Sequence, residues 1–118
     1  MANVLIVDDS RTSRRVLKDI LERNGHTVVG EAVDGKEGYD MYQTLKPDIV
    51  TMDITMPVMD GIDSLKLIMR FDPQAKVIMV TAAGQKQKMM EAIKIGAVEF
   101  ISKPLEEDAI IKTLNEIT

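Results

Sequence analysis

Three aspartates, a threonine and a lysine stand where the residues before them give no reason for a polar side chain. Asp8 and Asp9 end the apolar run Val4-Leu5-Ile6-Val7, and Asp53 ends Ile49-Val50-Thr51-Met52. Thr81 ends Val77-Ile78-Met79-Val80, and Lys103 follows Phe100-Ile101-Ser102. Apolar, β-branched runs this short read as buried strands instead of helices. A charge at the end of a buried strand is costly unless something pairs with it, so these side chains are expected to meet one another.

Converging carboxylates repel, and each raises the pKa of the others unless a cation lies among them. Oxygen ligands with no His or Cys nearby suit a hard ion such as Mg2+, which accepts one or two carboxylates and keeps several waters; Mn2+ could substitute. Lys103 adds a mobile point charge of the kind that holds a phosphoryl oxygen. An ionised aspartate can itself be a nucleophile and form an aspartyl-phosphate. Phosphoryl transfer asks the protein mainly for positioning and charge stabilisation. The chain has no G-x-x-x-x-G-K-[ST] loop for a nucleotide and no general base beside Asp53. The donor implied is therefore an already activated phosphoryl group.

The elements that must position these groups alternate along the chain. Ala2 to Val7 reads as a strand, and Ser10 caps a helix with Val16, Leu17, Ile20 and Leu21 on one face, stopped by Asn24-Gly25. Thr27 to Ala32 is a second strand. Asp34-Gly35-Lys36-Glu37 resembles a capping box opening a helix with Gly38, Met41, Tyr42 and Leu45 inward. After the central strand, Asp60 or Gly61 starts a third helix with Ile62, Leu65, Ile68 and Met69 inward, ended by Asp72-Pro73. Lys76 to Val80 is the fourth strand. Gln85 to Ile95 is a fourth helix, thin in apolar residues apart from Met89, Ala92 and Ile93, with Gly96 as its cap. Glu99 to Ser102 is the fifth strand, and Glu106 to Ile117 a helix with Ile110, Ile111, Leu114 and Ile117 inward.

Five strands alternating with five helices predict an α/β fold, a doubly wound parallel sheet covered on both faces. In such sheets ligands bind beyond the carboxyl ends of the strands, where the chain order reverses. That rule gathers Asp8, Asp9, Asp53, Thr81 and Lys103 into one site, with the second strand at an edge.

The 118 residues fit one domain over 1–118, and the final amphipathic segment leaves no attached output domain to expect. A net charge of −4 argues against a nucleic-acid surface, and the lack of Cys excludes disulfides and thiolate chemistry. No apolar run approaches the roughly 20 residues of a membrane helix, and no signal segment opens the chain, so a cytoplasmic protein without membrane insertion is expected. His26, beside Gly25, reads as a surface residue. The nine Met residues read as core and loop filler, with an exposed subset available for contacts. Arg11, Arg14, Arg15 and Lys18 on the first helix, and Lys86, Lys88 and Lys94 on the fourth, read as solvated faces.

Taken together, Val7-Asp8-Asp9, Asp53-Ile54-Thr55-Met56-Pro57 with Asp60-Gly61, Val80-Thr81-Ala82, Gly96-Ala97 and Lys103-Pro104 resemble the receiver domain of two-component response regulators, specifically the single-domain chemotaxis type. The resemblance spans essentially the whole chain. It implies a flavodoxin-like sheet of order 2-1-3-4-5, with Asp53 phosphorylated from the phosphohistidine of a sensor histidine kinase. It implies that Asp8 and Asp9 hold Mg2+ together with Asp53 and the backbone carbonyl of Thr55. Thr81 is then the switch hydroxyl, Lys103 the phosphoryl contact and Phe100 the switch aromatic. The Lys103-Pro104 bond is implied to be cis, kinase docking to fall near the first helix, and the output surface to comprise the fourth helix, the fifth strand and the last helix. Phe100, commonly Tyr in chemotaxis regulators, and Leu105, where Phe is frequent, depart from the pattern and bear on the partner.

The resemblance implies a monomeric phosphoacceptor signalling protein, not an enzyme beyond its own phosphorylation and autodephosphorylation, that binds the flagellar motor switch when phosphorylated. Two other outputs share every site residue: a phosphorelay intermediate that passes phosphate to a histidine phosphotransfer protein, and the receiver part of a longer transcriptional regulator. An aspartyl phosphohydrolase resembling haloacid dehalogenases needs a second Asp two residues after the nucleophile, where this chain has Thr55. Thr55 and Ala83 occupy positions that tune water access in the family, and the small Ala83 should leave the pocket open to hydrolysis.

Overall fold

The computed structural model describes residues 1–118. Five strands, β1 (Asn3–Val7), β2 (Thr27–Ala32), β3 (Ile49–Asp53), β4 (Val77–Thr81) and β5 (Glu99–Ser102), alternate with five helices. These are α1 (Arg11–Arg23), α2 (Gly35–Leu45), α3 (Gly61–Phe71), α4 (Lys86–Ile95) and α5 (Glu107–Ile117). The strands form one parallel sheet in the order β2-β1-β3-β4-β5, the doubly wound α/β topology expected from the alternation.

Alternate residues of each strand feed two separate cores. Leu5 and Val7, Val50 and Met52, and Val77 and Met79 pack with Tyr42 of α2, Ile62, Leu65 and Ile68 of α3, and Ala92 of α4. Val4 and Ile6, Ile49, Ile78 and Ile101 pack with Leu17, Ile20 and Leu21 of α1 and Ile110 and Leu114 of α5. A central strand buried on both faces needs no alternation of apolar and polar residues, which is why β3 and β4 read as continuous apolar runs.

The helix starts follow their capping chemistry. Ser10, Asp34 and Asp60 each accept a hydrogen bond from the backbone N–H three residues on. At α2 the capping box is modified: the Glu37 carboxylate accepts from the Val33 N–H, one residue before the cap. Gly61 has a steric role, because a Cβ there would collide with the carbonyl oxygen of Asp53. Its N–H donates to the Ile54 carbonyl at 2.7 Å, which clamps the start of α3 against the end of β3.

Several expectations are corrected by the packing. Val16 and Leu45, placed on the apolar faces of their helices by spacing, are each 40% exposed, and Ile93, one of the few apolar residues of the fourth helix, is 48% exposed. Leu45 nevertheless keeps the tip of its side chain over Gly30 of β2. The fourth strand runs one residue later than expected, so Thr81 is its last residue. His26 is not a surface residue: it is 8% exposed and its Nδ1 accepts from the Ala2 N–H, since the turn before β2 folds against the start of β1. Burial lowers its pKa from the ordinary value, with the nearby amino terminus adding to the effect.

Two positions carry a local cost. Val58, a β-branched residue, has φ 68°, inside the turn closed by the Met59 N–H on the Pro57 carbonyl. Thr51, 1% exposed between Ile6 and Ile78, has no hydrogen-bond partner for its hydroxyl. Replacing Val58 with Asn, which tolerates the left-handed region, should raise the unfolding free energy by about 1 kcal/mol in a urea titration. Thr51→Val removes an unpaired buried hydroxyl at constant shape and should also stabilise, by about 1 kcal/mol. A loss of stability in either variant contradicts the local cost assigned to that position.

Candidate functional site

The carboxyl ends of β1, β3, β4 and β5 bring the expected residues to one edge of the sheet. Ligand oxygens of Asp8, Asp9 and Asp53 lie within 4.8 Å of one another; Asp8 and Asp53 are buried and Asp9 is exposed. The Lys103 Nζ sits between two of them, 3.4 Å from Asp8 Oδ2 and 3.7 Å from Asp53 Oδ2. The other oxygen of each carboxylate is held by backbone: Asp8 Oδ1 accepts from the Ser10 N–H at 2.8 Å and Asp53 Oδ1 from the Ile54 N–H at 3.1 Å. Asp8 and Asp53 thus each keep one oxygen fixed by backbone and one held only by the Lys103 ion pair, an arrangement that can take a cation by displacing the ammonium.

Lys103 is aimed by its strand and by the turn after it. Its own N–H donates to the Thr81 carbonyl at 2.7 Å, and the peptide bond to Pro104 is cis. Thr81 is buried at the end of β4, and its hydroxyl donates to the Ile101 carbonyl across a long 3.5 Å. Thr81 and Asp53 are brought to the same sheet edge by a register that pairs Asp53 with Val80. Phe100 stands apart from the acids: it lies on β5, half-buried, packed against the core beneath α2, α3 and α4. Thr55 is exposed at the start of the loop after β3, where its hydroxyl accepts from the Gln85 side-chain amide at 2.8 Å.

Two participants escaped the sequence reading. Arg14, assigned to a solvated basic face, is folded inward: one guanidinium N–H donates to the Asp8 carbonyl at 2.8 Å and another to Glu31 of β2 at 3.2 Å. It braces the acidic turn from below. The available signal was weak, namely an Arg one helical turn into the helix that follows Asp8-Asp9. Gln85 spans two loops at the site, and nothing in its sequence context distinguishes it from an ordinary residue before a helix.

A family model described as the response regulator receiver domain matches residues 4–115. The chain belongs to the response regulator receiver family. This receiver is 51% identical over 115 residues to the chemotaxis protein CheY of Thermotoga maritima, covering 98% of this chain and 96% of that protein. It is 47% identical to CheY of Bacillus subtilis, covering 96% and 94%. Among solved structures, the CheY of a CheX–CheY–BeF3–Mg2+ complex from Borrelia burgdorferi superposes with a TM-score of 0.94 at 41% identity, covering 98% of this chain and 87% of that one. The receiver is thus of the CheY type, and its fold is the flavodoxin-like one of those neighbours.

The electrostatics of the receiver's acidic pocket centre on Asp53. Burial pushes its carboxyl up from about 3.8 to about 6; the charge of Asp8 adds to this, Lys103 opposes it, Asp9 adds further, and the Ile54 N–H opposes it weakly. The donor set is all oxygen, is short of positive charge by more than Lys103 supplies, and so fits a hard divalent ion.

A stability consequence follows with a definite sign. The folded chain holds the Asp53 proton more tightly than the unfolded chain, so stability contributed by this group falls as pH rises from about 4 to about 6. Above that window the repulsion persists in full. In metal-free buffer at pH 7.5, Asp53→Asn should therefore be more stable than the parent by about 1–3 kcal/mol in urea denaturation, with the gap closing at pH 4. Adding Mg2+ should stabilise the parent more than the variant; equal stabilities at pH 7.5 without metal rule out the cost of burying this charge beside Asp8.

Proposed function

We propose that this receiver, one unit over residues 1–118, is a phosphorylation-dependent switch in chemotaxis that accepts a phosphoryl group on Asp53 from a histidine kinase's phosphohistidine. The observation that carries the reading is a buried carboxylate with one oxygen held only by its ion pair to the Lys103 ammonium, flanked by Asp8 and Asp9. The Asp53 oxygen attacks phosphorus, the P–N bond to the kinase imidazole breaks, and the imidazole leaves with the electron pair and takes up a proton. Lys103, already between two carboxylates, exchanges part of that pairing for a phosphoryl oxygen. Asp8 and Asp9, with Asp53 and the Thr55 carbonyl, would hold Mg2+, whose charge offsets that gathered on the phosphoryl oxygens. The Mg2+ in the Borrelia burgdorferi complex supports this choice of ion.

Thr81 then leaves its long bond to Ile101 for the phosphoryl group, because the new partner is charged and the old one is neutral and badly spaced. Moving an equilibrium from 1:99 to 99:1 takes about 5.5 kcal/mol, whereas one hydrogen bond to a charged group contributes about 1.5–3 kcal/mol. Thr81, Lys103 and the target must share the bias. The surface that changes comprises α4, β5 with Phe100, and α5, where Met90, Ile93 and Val98 are exposed. Its target is the flagellar motor switch, and the kinase docks near α1. CheX bound to the Borrelia burgdorferi CheY supports regulation by partner proteins. Exposed Ala83 leaves water a path to the phosphoryl group, so the switch resets itself.

With phosphoramidate and Mg2+, intact-mass spectrometry should show one phosphoryl group on the parent and none on Asp53→Asn. Thr81→Ala should still be labelled but bind a motor-switch peptide about 10–100-fold more weakly after phosphorylation. Labelling of Asp53→Asn contradicts the acceptor assignment. Stoichiometric return of phosphate to a histidine phosphotransfer protein, without phosphate-dependent motor binding, would make the output a phosphorelay instead.

A further inference from the structure

Gln85 is the residue before α4, a position where a side chain usually caps the helix, yet it makes no capping bond. Its amide faces the other way. The Oε1 accepts from the Ala82 N–H at 2.6 Å and the Nε2 donates to the Thr55 hydroxyl at 2.8 Å. One side chain therefore joins the segment just after Thr81 to the segment just after Asp53. No other side-chain hydrogen bond links these two loops.

The rest of the segment is built to move. Ala82, Ala83 and Gly84 are exposed, Gly84 has φ 83°, and a Cβ added to it would meet nothing within 4 Å. Nothing packs over these three residues, so their position is set by the strand end on one side and by Gln85 on the other. Thr81 is the last residue of β4, so a backbone shift that carries it toward Asp53 carries the Ala82 N–H, held by Gln85, with it.

We propose that Gln85 is a positioning residue for the phosphorylation switch: by bonding Ala82 and Thr55 at once, its side-chain amide latches the loop after β4 in the unphosphorylated arrangement and sets the cost of bringing Thr81 to a phosphoryl group on Asp53. The inference rests on the phosphoacceptor reading above and adds a residue to it. Each bond is between neutral groups at a partly exposed site, so the latch is of modest strength. It acts through the loop and touches none of the reacting atoms.

The test is the binding of beryllium fluoride with Mg2+, a phosphoryl mimic, read by NMR titration on the parent, Gln85→Ala, Thr55→Val and the double variant. Gln85→Ala should bind about 3–10-fold more tightly, since less is lost on moving the loop. Thr55→Val should do the same to a smaller extent, and the double variant should match Gln85→Ala because both remove one connection. Without beryllium fluoride, hydrogen exchange at the Ala82 amide should be faster in Gln85→Ala and unchanged at the amides of β4. Unchanged or weaker binding by Gln85→Ala, no effect of Thr55→Val, additive effects in the double variant, or unchanged Ala82 exchange would each overturn the latch. If the parent itself fails to bind beryllium fluoride, the phosphoacceptor reading fails instead; the exchange measurement still reports on the Gln85 contact.

Discussion

The repulsion between two buried carboxylates, Asp8 and Asp53, is what the remainder of this receiver is arranged around. Asp8 is 5% and Asp53 8% exposed, and each stands at the end of a strand buried on both faces. Such a pair is tolerated because its hydrogen-bonding needs are met from outside the pair. Backbone amides of Ser10 and Ile54 take one oxygen of each, and the Lys103 ammonium lies between the others. Burial, with the charge of Asp8 adding to it, raises the pKa of Asp53 to about 6. A divalent cation held by these carboxylates would relieve their repulsion.

The sheet supplies the rigidity that this arrangement requires. Parallel pairing forces β1, β3, β4 and β5 to end at the same edge, and the register brings the Asp53–Val80 and Thr81–Ser102 pairs level. Gly61 lets α3 start in contact with the carbonyl of Asp53, so this aspartate is gripped from its own backbone side. Arg14 performs a similar service for Asp8, fixing its carbonyl and tying the turn to Glu31 on the edge strand. The second strand thus contributes no group to the pocket but does anchor one of its walls.

What could be read from the sequence follows from which interactions are local. Strands buried on both faces announce themselves as short β-branched runs, and the caps Ser10, Asp34 and Asp60 act within one helical turn, so fold and topology were accessible. The acids, Thr81 and Lys103 were found because each interrupts an apolar run at a strand end. Arg14 and Gln85 were not, because their partners depend on how far a flexible side chain reaches across the fold. His26 was misread for a related reason: its burial is created by the start of β1, 24 residues away in sequence. Helical spacing likewise placed Val16 and Leu45 inward, although each is 40% exposed.

The thinness of α4 has the same origin as its usefulness. Only Ala92 is buried on this helix, and Met90 and Ile93 are left in solvent, so little apolar burial opposes a small displacement of α4. At its amino end the helix is joined to the pocket through the Thr81–Gly84 segment and Gln85, and at its carboxyl end Gly96, at φ 138°, leads into β5. The side-chain hydrogen bonds that hold this segment are those of Gln85 and Thr81. An element held this lightly can be biased by a single charged contact plus a partner, whereas α3, with Ile62, Leu65 and Ile68 all buried, cannot. The weakly packed helix is on that account the part of the fold near the pocket that the core holds least.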